Sequence, residues 1–389
     1  MTLSVLHSAT ALVAGELVTD AYVAWRDGVI VDTGRGAWWD RGDDRSGVTV
    51  VDAQGQLVTP GLIDIHCHGG AAAAYGVDPA SPALDFHESH GVTRQVLSIV
   101  SGPVPRMCAE LDAIACLTAT DPRVLGSHAE GPFLSHERRG AHDPAALSAP
   151  QPDLVEQLLT AAQGTLVQIT MAPELPGALA AIARFAHEDV VVSVGHTAAD
   201  YTTTMEAFDA GARNVTHAFN GMNGLGHRAP GPLGAALARE DVSIEVILDL
   251  IHVHPAMAGL LARLAGDRLV LVTDAMAATG LGDGLYSLGD MQVRVADGVA
   301  NLVEGDSLAG STLTLDRAVR HAVRELGLPV PEAFAMATTR PAQMVGRPDL
   351  GAIRIGAVAD LVLWDSGINV LKVWRDGKLT SQKERDLSD

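Results

Sequence analysis

Short apolar runs alternate with alanine-rich stretches along most of this chain. The runs are rich in Val, Ile and Leu and end at turn residues, which is the pattern of buried strands. The stretches between them are long enough for crossover helices, and 176–186 and 255–265 are rich in Ala and Leu. Eight such units predict an α/β fold, a (β/α)8 barrel of the TIM type. The predicted strands are 61–66, 92–99, 123–129, 165–171, 190–195, 213–217, 243–248 and 269–273.

The two ends of the chain have a different pattern. β-like runs with Asp-Gly and Gln-Gly turn signals occupy 21–34 and 48–60, and similar runs return at 351–365 and 370–379. We expect the two ends to pair with each other. The sequence therefore predicts a small β-sandwich domain from 1–58 and 347–389, and a barrel domain over 59–346.

Polar residues of the metal-binding types stand where the predicted strands stop. Side chains two apart share one face of a strand, so two histidines at that spacing can bind one ion. A single histidine at a strand end is more often structural, but several at one barrel mouth predict a metal site. These residues are His66 and His68 for the first strand, Glu130 for the third, His196 for the fifth, His217 for the sixth and Asp274 for the eighth.

Two ion sites are predicted at this mouth. Glu130, His196 and His217 offer one carboxylate and two imidazoles, a set that leaves coordination positions open for water and substrate. His66 and His68 can bind a second ion, with Glu130 as a bridge. The predicted cofactor is therefore a divalent metal, one or two ions per chain, with zinc favoured and iron, cobalt or manganese as alternatives.

Asp274 is the candidate acid–base group. A bound divalent ion lowers the pKa of its water ligand to about 7. A carboxylate beside that water can accept its proton and return it to a leaving group. The alternative is that Asp274 only caps a helix after the eighth strand.

Composition narrows the range of partners. The formal net charge of −20 argues against nucleic acid and anionic membranes. An anionic small substrate would need a local cationic pocket. The lysines are Lys372, Lys378 and Lys383, all near the C-terminus. No lysine of the predicted barrel can therefore form a Schiff base or, once carboxylated, bridge two metal ions.

The N-terminus and the cysteines bear on localisation. The first 20 residues lack a basic stretch followed by a long apolar run, so we expect neither a signal peptide nor a transmembrane segment. The three cysteines are an odd number without framework spacing, which favours reduced thiols and a cytoplasmic location. We expect Cys108 and Cys116 to be buried, on or near a helix.

A set of ordered segments carries a family resemblance over about 52–346. In chain order they are PGLIDIHCHGG, HAEGPF, RRGAHDP, TMAPE, SVGHT, VTHAFNGM, HRAPG, LVTDAM and LAGSTLTLDRAV. With them the sequence resembles the amidohydrolase superfamily and, within it, the N-acetylglucosamine-6-phosphate deacetylase family. Glu130 stands where many amidohydrolases have a carboxylated lysine, in agreement with the barrel without lysine.

This resemblance implies an activity and a role for each matching position. The implied reaction hydrolyses the acetamide of N-acetyl-D-glucosamine 6-phosphate to D-glucosamine 6-phosphate and acetate, in amino-sugar catabolism and cell-wall recycling. A homodimer is also implied, in which the neighbouring subunit contributes phosphate contacts. The implied roles are metal ligation by Glu130, His196 and His217, acid–base catalysis by Asp274, sugar or carbonyl contact and oxyanion stabilisation by His142, phosphate contact by Asn220 and Arg228, and substrate contact by His252 and by the backbone of Leu308.

The resemblance has departures, and other functions remain open from the sequence. Some members of the family lack the His-x-His pair and bind one metal ion. Leu250 stands where the family usually has glycine, and His227 where a glycine often precedes the arginine. The runner-up is a metal-dependent amidohydrolase acting on an uncharged N-acyl compound or a cyclic amide. A non-catalytic barrel is a third alternative, against which the complete set of polar residues argues.

Overall fold

A computed structural model describes residues 3–37, 47–305 and 307–382. The chain divides into two compact units, one made of Met1–Ile63, His87–Thr93 and Leu315–Asp389 and the other of Asp64–Phe86 and Arg94–Thr314. This division groups 315–346 with the chain ends. The domain boundaries expected at 58/59 and 346/347 stay a prediction, and 1–2, 38–46 and 383–389 of those domains lie outside the described residues.

Eight parallel strands follow one another in chain order around a nearly closed barrel, as the sequence predicted. Each lies within two residues of its predicted bounds. A backbone bridge between Cys67 and Ala275 joins the end of the first strand to the residues after the eighth. The barrel strands are Leu62–Cys67, Val92–Val100, Val124–Glu130, Leu166–Met171, Val191–Val194, Asn214–Val215, Ser243–Ile247 and Leu269–Val272.

The barrel strands read as near-continuous apolar runs because both of their faces are covered. Every residue of the first strand is buried, including Asp64 and His66. Polar groups at such positions need hydrogen-bond partners. Asp64 accepts the hydroxyl of Thr273 at 2.6 Å, which ties the first strand to the residues that follow the eighth.

Helices follow most barrel strands. The predicted helix at 255–265 is present as Pro255–Ala265, and the one at 176–186 runs over Ala178–His187. The expectation for the cysteines was right about the helix but wrong about burial, since Cys116 is exposed and Cys108 half-buried on Val104–Thr118. The other helices before the eighth strand are Ser81–Ser89, Pro152–Ala162, Tyr201–Ala210 and Gly231–Leu237.

None of the helices in the described ranges is long and apolar enough to cross a membrane.

A three-stranded antiparallel sheet is inserted after the eighth barrel strand, and the sequence reasoning did not predict it. Its strands are Gly284–Leu288, Met291–Ala296 and Val299–Leu302. Val293 and Val295 alternate with exposed residues and pack with Met276 and Ala309 in a small core. Two very short strands, Gly69–Gly70 and Ala73–Ala74, pair just after the first barrel strand.

The chain ends form a separate eight-stranded sheet, which confirms that they pair. Leu57–Pro60 lies antiparallel to Leu361–Trp364 and so joins the N-terminal strands to the C-terminal ones. Trp25 and Trp374 meet edge to face inside the core of this sheet. The other strands are Leu3–Val13, Glu16–Arg26, Val29–Arg35, Val48–Asp52, Val370–Arg375 and Lys378–Gln382. The same unit contains the helices Leu315–Arg324, Val330–Ala335 and Thr339–Met344.

Candidate metal centre and active site

The barrel brings the predicted ligand residues together at the carboxyl ends of its strands. Glu130 is the last residue of the third strand, whereas His196, His217 and Asp274 each come two residues after the end of the fifth, sixth and eighth. Those three have left-handed φ angles of 46°, 26° and 50°. Such backbone costs about 1–3 kcal/mol for residues other than glycine and is concentrated at functional sites. The backbone just after these strands therefore has the strained conformation that is typical of functional sites.

The Glu130 carboxylate is the centre of the cluster. Its Oε1 lies 3.1 Å from Nε2 of His196 and 3.1 Å from Nε2 of His217. Its Oε2 lies 3.1 Å from Nε2 of His68, and Nε2 of His66 is 3.5 Å from Oε1. Four imidazoles thus direct the same ring atom at one buried carboxylate, as expected of a metal centre and its bridging ligand.

Contacts between ring nitrogens support the same conclusion. Nε2 of His196 is 3.1 Å from Nε2 of His217, and Nε2 of His66 is 3.3 Å from Nε2 of His68. The Nδ1–H of His196 donates to the carbonyl of Arg138 at 3.0 Å, which leaves the Nε2 lone pair facing the cluster. Two convergent lone pairs beside a carboxylate are the donor set of a divalent transition-metal ion, so the residues fit such an ion.

Asp274 closes the other side of the cluster. Its Oδ1 lies 3.2 Å from Nε2 of His68 and 3.6 Å from Nε2 of His66. With these histidines and Glu130, its donor atoms lie within 4.8 Å of one another, close enough to hold one ion. The carboxylate thus stands beside the second predicted ion site, where it can act either as a ligand or as an acid–base group.

The ionisation of Glu130 and Asp274 favours the binding of a metal ion. Burial raises the pKa of Glu130, but the charge of His66 and hydrogen bonds from the other histidines outweigh it and hold that pKa well below its usual range. Burial also raises the pKa of Asp274, but the charge of His66 and the hydrogen bond and charge of His68 outweigh it. The pKa of Asp274 therefore falls to about 2. Both groups are therefore ionised at neutral pH, which is the form that binds metal ions.

His142 differs from the ligand histidines in its hydrogen bonds. The backbone N–H of Ser101 donates to its Nδ1 at 3.3 Å, so its proton is on Nε2. That nitrogen lies 3.4 Å from Oε2 of Glu130. Burial lowers the pKa of His142, which keeps the ring neutral. Although it could complete an ion site with Glu130 and His196, its geometry suits a hydrogen-bond donor to a bound molecule better.

These groups open into a cavity of about 310 Å³. Of the predicted substrate-binding residues, His142, Asn220, His252 and Leu308 line it. Arg228 does not: it is exposed on the loop between the sixth strand and the next helix. None of the described residues that line the cavity is Arg or Lys. The cationic pocket required for an anionic substrate is therefore not formed by the cavity wall itself.

His252 lies in the cavity wall and is paired with a carboxylate. Its Nδ1 donates to the Asp249 carboxylate at 2.7 Å. Burial lowers the pKa of His252, but the hydrogen bond and charge of Asp249 outweigh it and raise that pKa above its ordinary value. Its Nε2–H is left to bind an anionic or hydroxyl group.

Sequence reasoning missed several residues of this site. Leu288 of the inserted sheet and Ser307 line the cavity, and Glu245 hydrogen-bonds Nδ1 of His66 at 3.0 Å. The sequence does contain a signal for the inserted sheet, because Gly-Asp and Asp-Gly turns separate runs in which apolar and polar residues alternate. Glu245 had one too, since it is a lone acid inside the apolar run VSIEVIL.

Comparison with known proteins agrees with this architecture, since the chain matches the amidohydrolase family over residues 57–380. The chain belongs to the amidohydrolase family. The resemblance found in the sequence is thereby confirmed. Like other family members, this amidohydrolase carries a buried His, Glu and Asp cluster that can bind a divalent metal ion.

Curated relatives of this amidohydrolase include two sugar-phosphate deacetylases. N-acetylgalactosamine-6-phosphate deacetylase of Escherichia coli O157:H7 is 40% identical over 342 residues, which covers 86% of this chain and 90% of the relative. N-acetylglucosamine-6-phosphate deacetylase of Vibrio furnissii is 36% identical and covers 82% of each chain.

A solved structure is also similar over nearly the whole length. It is an aspartate-to-alanine mutant of N-acetyl-D-glucosamine-6-phosphate deacetylase from Mycobacterium smegmatis, in complex with N-acetyl-D-glucosamine-6-phosphate. The TM-score is 0.92 at 35% identity, and the match covers 98% of this amidohydrolase and 100% of that chain.

Proposed function

We propose that this amidohydrolase hydrolyses the acetamide of N-acetyl-D-glucosamine 6-phosphate to D-glucosamine 6-phosphate and acetate. The observation that carries the proposal is the ionised Asp274 carboxylate beside the Glu130–histidine cluster, in a cavity lined by hydrogen-bonding groups. The relatives named as deacetylases of 6-phosphorylated N-acetylhexosamines supply the substrate class. The reaction serves amino-sugar catabolism and cell-wall recycling.

The residues of this chain divide the work of amide hydrolysis. Asp274 accepts a proton from the attacking water and later donates it to the departing amine, as general acid–base catalysis requires. The Nε2–H of His142 donates a hydrogen bond to the carbonyl oxygen, where negative charge develops. The pKa of Asp274 lies below its usual range, so the carboxylate is ionised at neutral pH and begins the cycle as the proton acceptor.

The ion is a divalent metal, with zinc the favoured identity and iron, cobalt or manganese the alternatives. When bound, it supplies Lewis-acid polarisation of the amide and lowers the pKa of its water ligand. Glu130, His196 and His217 would hold the first ion. His66 and His68 would hold a second ion together with Glu130, and three of their Nε2–carboxylate contacts are 3.5 Å or shorter.

Sugar and phosphate are bound by residues from two subunits. His252, Asn220 and the backbone of Leu308 contact the sugar phosphate from the cavity wall. Arg228 contacts the phosphate of a substrate held by the neighbouring subunit of a homodimer. Its exposure and its absence from the wall of its own cavity support this arrangement. The enzyme acts in the cytoplasm, in keeping with its three free cysteines.

N-acetylgalactosamine 6-phosphate is a second candidate substrate. One observation favours it: relatives named as deacetylases of this sugar, from E. coli O157:H7 and Shewanella, are 40% and 38% identical. The two sugars differ only in the configuration of one hydroxyl group. The same residues would therefore act on the acetamide of either.

The test is acetate release from four compounds, the two N-acetylhexosamine 6-phosphates and their unphosphorylated forms. We expect the highest kcat/KM with N-acetylglucosamine 6-phosphate and a large loss without the phosphate. A faster reaction with the galactosamine epimer would select the second candidate. Equal rates with and without phosphate would contradict both and favour an amidohydrolase acting on uncharged N-acyl compounds.

A further inference from the structure

Glu245 is a buried carboxylate behind the cavity that takes no part in the chemistry described above. It lies in the seventh barrel strand, Ser243–Ile247, with no exposed surface, between the buried residues Ile244 and Val246. It is not among the residues that line the cavity. Burying an ionised carboxylate is costly unless hydrogen bonds compensate for the lost water. Its partners therefore indicate what it does.

Four donors surround this carboxylate. Oε1 accepts the side-chain amides of Gln168 at 2.7 Å and Asn214 at 2.6 Å. Oε2 lies 3.0 Å from Nδ1 of His66 and 3.4 Å from the backbone N–H of His217. A site made of donors suits the ionised form, which only accepts. The proton of His66 is therefore on Nδ1.

This assignment decides which atom of His66 is available to a metal ion. With the Nδ1 proton held by Glu245, Nε2 is the nitrogen that can give up a proton and bind an ion. That atom lies 3.5 Å from Oε1 of Glu130, 3.6 Å from Oδ1 of Asp274 and 3.3 Å from Nε2 of His68. The carboxylate thus orients the ring so that its free nitrogen faces the other donors of the second ion site. Carboxylates behind ligand histidines act in this way in other metalloproteins.

We propose that Glu245 is a positioning residue that fixes the tautomer and orientation of His66 and thereby sets the affinity for the second metal ion. This inference rests on the two-ion site of the proposed function. Gln168 and Asn214 hold the carboxylate in place from the fourth and sixth strands. Glu245 is thus a partner of the ligand and does not itself bind the ion.

Replacement by glutamine separates this role from a purely structural one. The carbonyl oxygens of the Gln168 and Asn214 side chains are both buried without a partner among the described residues. In Glu245→Gln, both amides can turn over and present these oxygens to the new NH2 group. The new carbonyl oxygen then stays on the side of His66 and His217. The fold keeps its hydrogen bonds, whereas His66 loses its anionic partner.

The experiment titrates zinc into chelator-treated protein and measures the dissociation constant of each ion by calorimetry, with zinc content checked by atomic spectroscopy. We expect Glu245→Gln to weaken the second ion about 10- to 100-fold, the usual effect of losing such a partner, and to leave the first unchanged. Gln168→Leu is the matched control, because it removes a hydrogen bond to Glu245 but no contact to His66. Because Asn214 still holds the carboxylate, this variant should weaken the second ion far less than Glu245→Gln does.

A second comparison uses the His66→Asn background, in which the second ion is already weakened at its ligand. There Glu245→Gln should cause no further change in either dissociation constant. If Glu245→Gln does not fold, as judged by thermal unfolding of the metal-free protein, Glu245→Asp replaces it. That variant keeps the charge but shortens the reach to His66, and it should also weaken the second ion selectively.

Several results would overturn the inference. The first is wild-type affinity for the second ion in the Glu245 variant, and the second is an equal loss of affinity for both ions. The third is a loss of affinity in Gln168→Leu as large as that in the Glu245 variant, and the fourth is a wild-type protein that never binds a second ion. The proposed function fails separately. Wild-type protein that shows the expected metal effects but releases no acetate from the sugar phosphates would contradict the function and leave the role of Glu245 supported.

Discussion

In the proposed reaction, Asp274 is the residue on which the chemistry depends most directly. Amide hydrolysis needs a base for the water and an acid for a poor amine leaving group. A carboxylate with its pKa near 2, held by His66 and His68 at the cavity, meets the first need at once and the second after it has taken up a proton. The same contacts would also let it act as a ligand, so the two roles must be separated by experiment.

Replacing Asp274 by Asn is expected to lower kcat at least about 100-fold, the usual contribution of a positioned acid–base group. The amide keeps the shape of the side chain but cannot accept the proton. Substrate binding should be largely kept, and metal should remain at Glu130, His196 and His217. Steady-state kinetics and metal analysis of the same preparation check this. Near-normal turnover in metal-replete protein would refute the mechanism, whereas joint loss of metal and activity would make Asp274 chiefly a ligand.

The proposed second ion site depends on the pair His66 and His68. Exchange of His66 for Gln and His68 for Asn should reduce the metal content towards one ion per chain and leave substantial activity. The reason is that the first candidate site uses different histidines. Nε2 of His196 and Nε2 of His217 contact Oε1 of Glu130, and these contacts do not involve His66 or His68. Metal analysis after reconstitution measures this. The prediction is wrong if the wild-type protein never exceeds one ion per chain in excess metal.

Single residues show how far sequence reasoning reaches. That the candidate ligand residues lie close together could be predicted, because strand ends meet at one mouth of any barrel, whatever the details of packing. Leu250 stood out as a replacement for glycine, and its φ of 71° is indeed in the left-handed region that favours glycine. Glu245 could not be assigned to His66, because their contact joins strands 179 residues apart in sequence.

At the scale of elements, the helix Val104–Thr118 and the inserted sheet are joined by an ion pair, and a second pair lies within the helix. Arg106 reaches Asp290 at 2.6 Å in the turn after Leu288, which lines the cavity, and it also lies 3.4 Å from Glu110. Burial raises the pKa of Glu110 to about 7, against the attraction of Arg106 and with the repulsion of Asp290. The join is therefore sensitive to pH.

The Glu110→Gln variant should be more stable than the wild type at pH 8. An acid whose pKa is raised in the folded chain contributes stability below its unfolded pKa of about 4.5, and this contribution is lost as the pH rises to about 7. Glutamine cannot ionise, so the difference in the free energy of unfolding should grow from pH 5 to pH 8, to at most about 3 kcal/mol. Urea unfolding at both pH values measures it.

The control is Glu206→Gln, an exposed glutamate on the helix Tyr201–Ala210, which should show no such dependence on pH. A Glu110 variant that is equally or less stable than the wild type at pH 8 would mean that the pair with Arg106 outweighs the cost of burial.

Elements differ in how well their pattern determines them. The eight barrel strands could be located closely, because strands covered on both faces form apolar runs bounded by turns. The strands of the insertion are half-exposed, and their only pattern is an alternation of buried and exposed residues, as in Met291–Ala296. This pattern is weaker than the apolar runs of the barrel strands, and the insertion was therefore not predicted. Cys108 and Cys116 were placed on the correct helix, but the sequence alone did not show which face of it meets solvent.

At the scale of the whole molecule, the charge of −20 does not attract an anionic substrate. The phosphate must therefore be held by local donor groups, and besides His252 in the cavity wall there are two candidate arginine sources among the described residues. Arg228 is exposed and outside the cavity wall. Arg138 and Arg139 line a neighbouring pocket of about 350 Å³ that shares Gly140 with the main cavity. The first source implies a shared site between subunits, and the second does not.

Removing Arg228 should raise KM for the phosphorylated sugar about 10- to 150-fold, since a lost charge-assisted hydrogen bond costs about 1.5–3 kcal/mol. The KM for the unphosphorylated sugar should not change. Arg139→Ala tests the other candidate source, because this arginine is also exposed and donates a hydrogen bond to the backbone carbonyl of His136. An effect confined to Arg139→Ala would place the phosphate site within one chain.

Mixed dimers decide whether Arg228 acts across the subunit boundary. Arg228→Ala and Asp274→Asn chains are each expected to be poorly active alone at limiting substrate. In a hybrid dimer, the chain that keeps Asp274 receives Arg228 from its partner, so one complete site is restored. Random pairing of equal amounts makes half of the dimers hybrids, and activity should recover to about a quarter of the wild-type value. Mixing wild-type chains with chains that carry both substitutions should give no such restored site. If the mixture of single variants shows no gain after dissociation and reassembly, Arg228 acts within its own chain or not at all, and the homodimeric site is wrong.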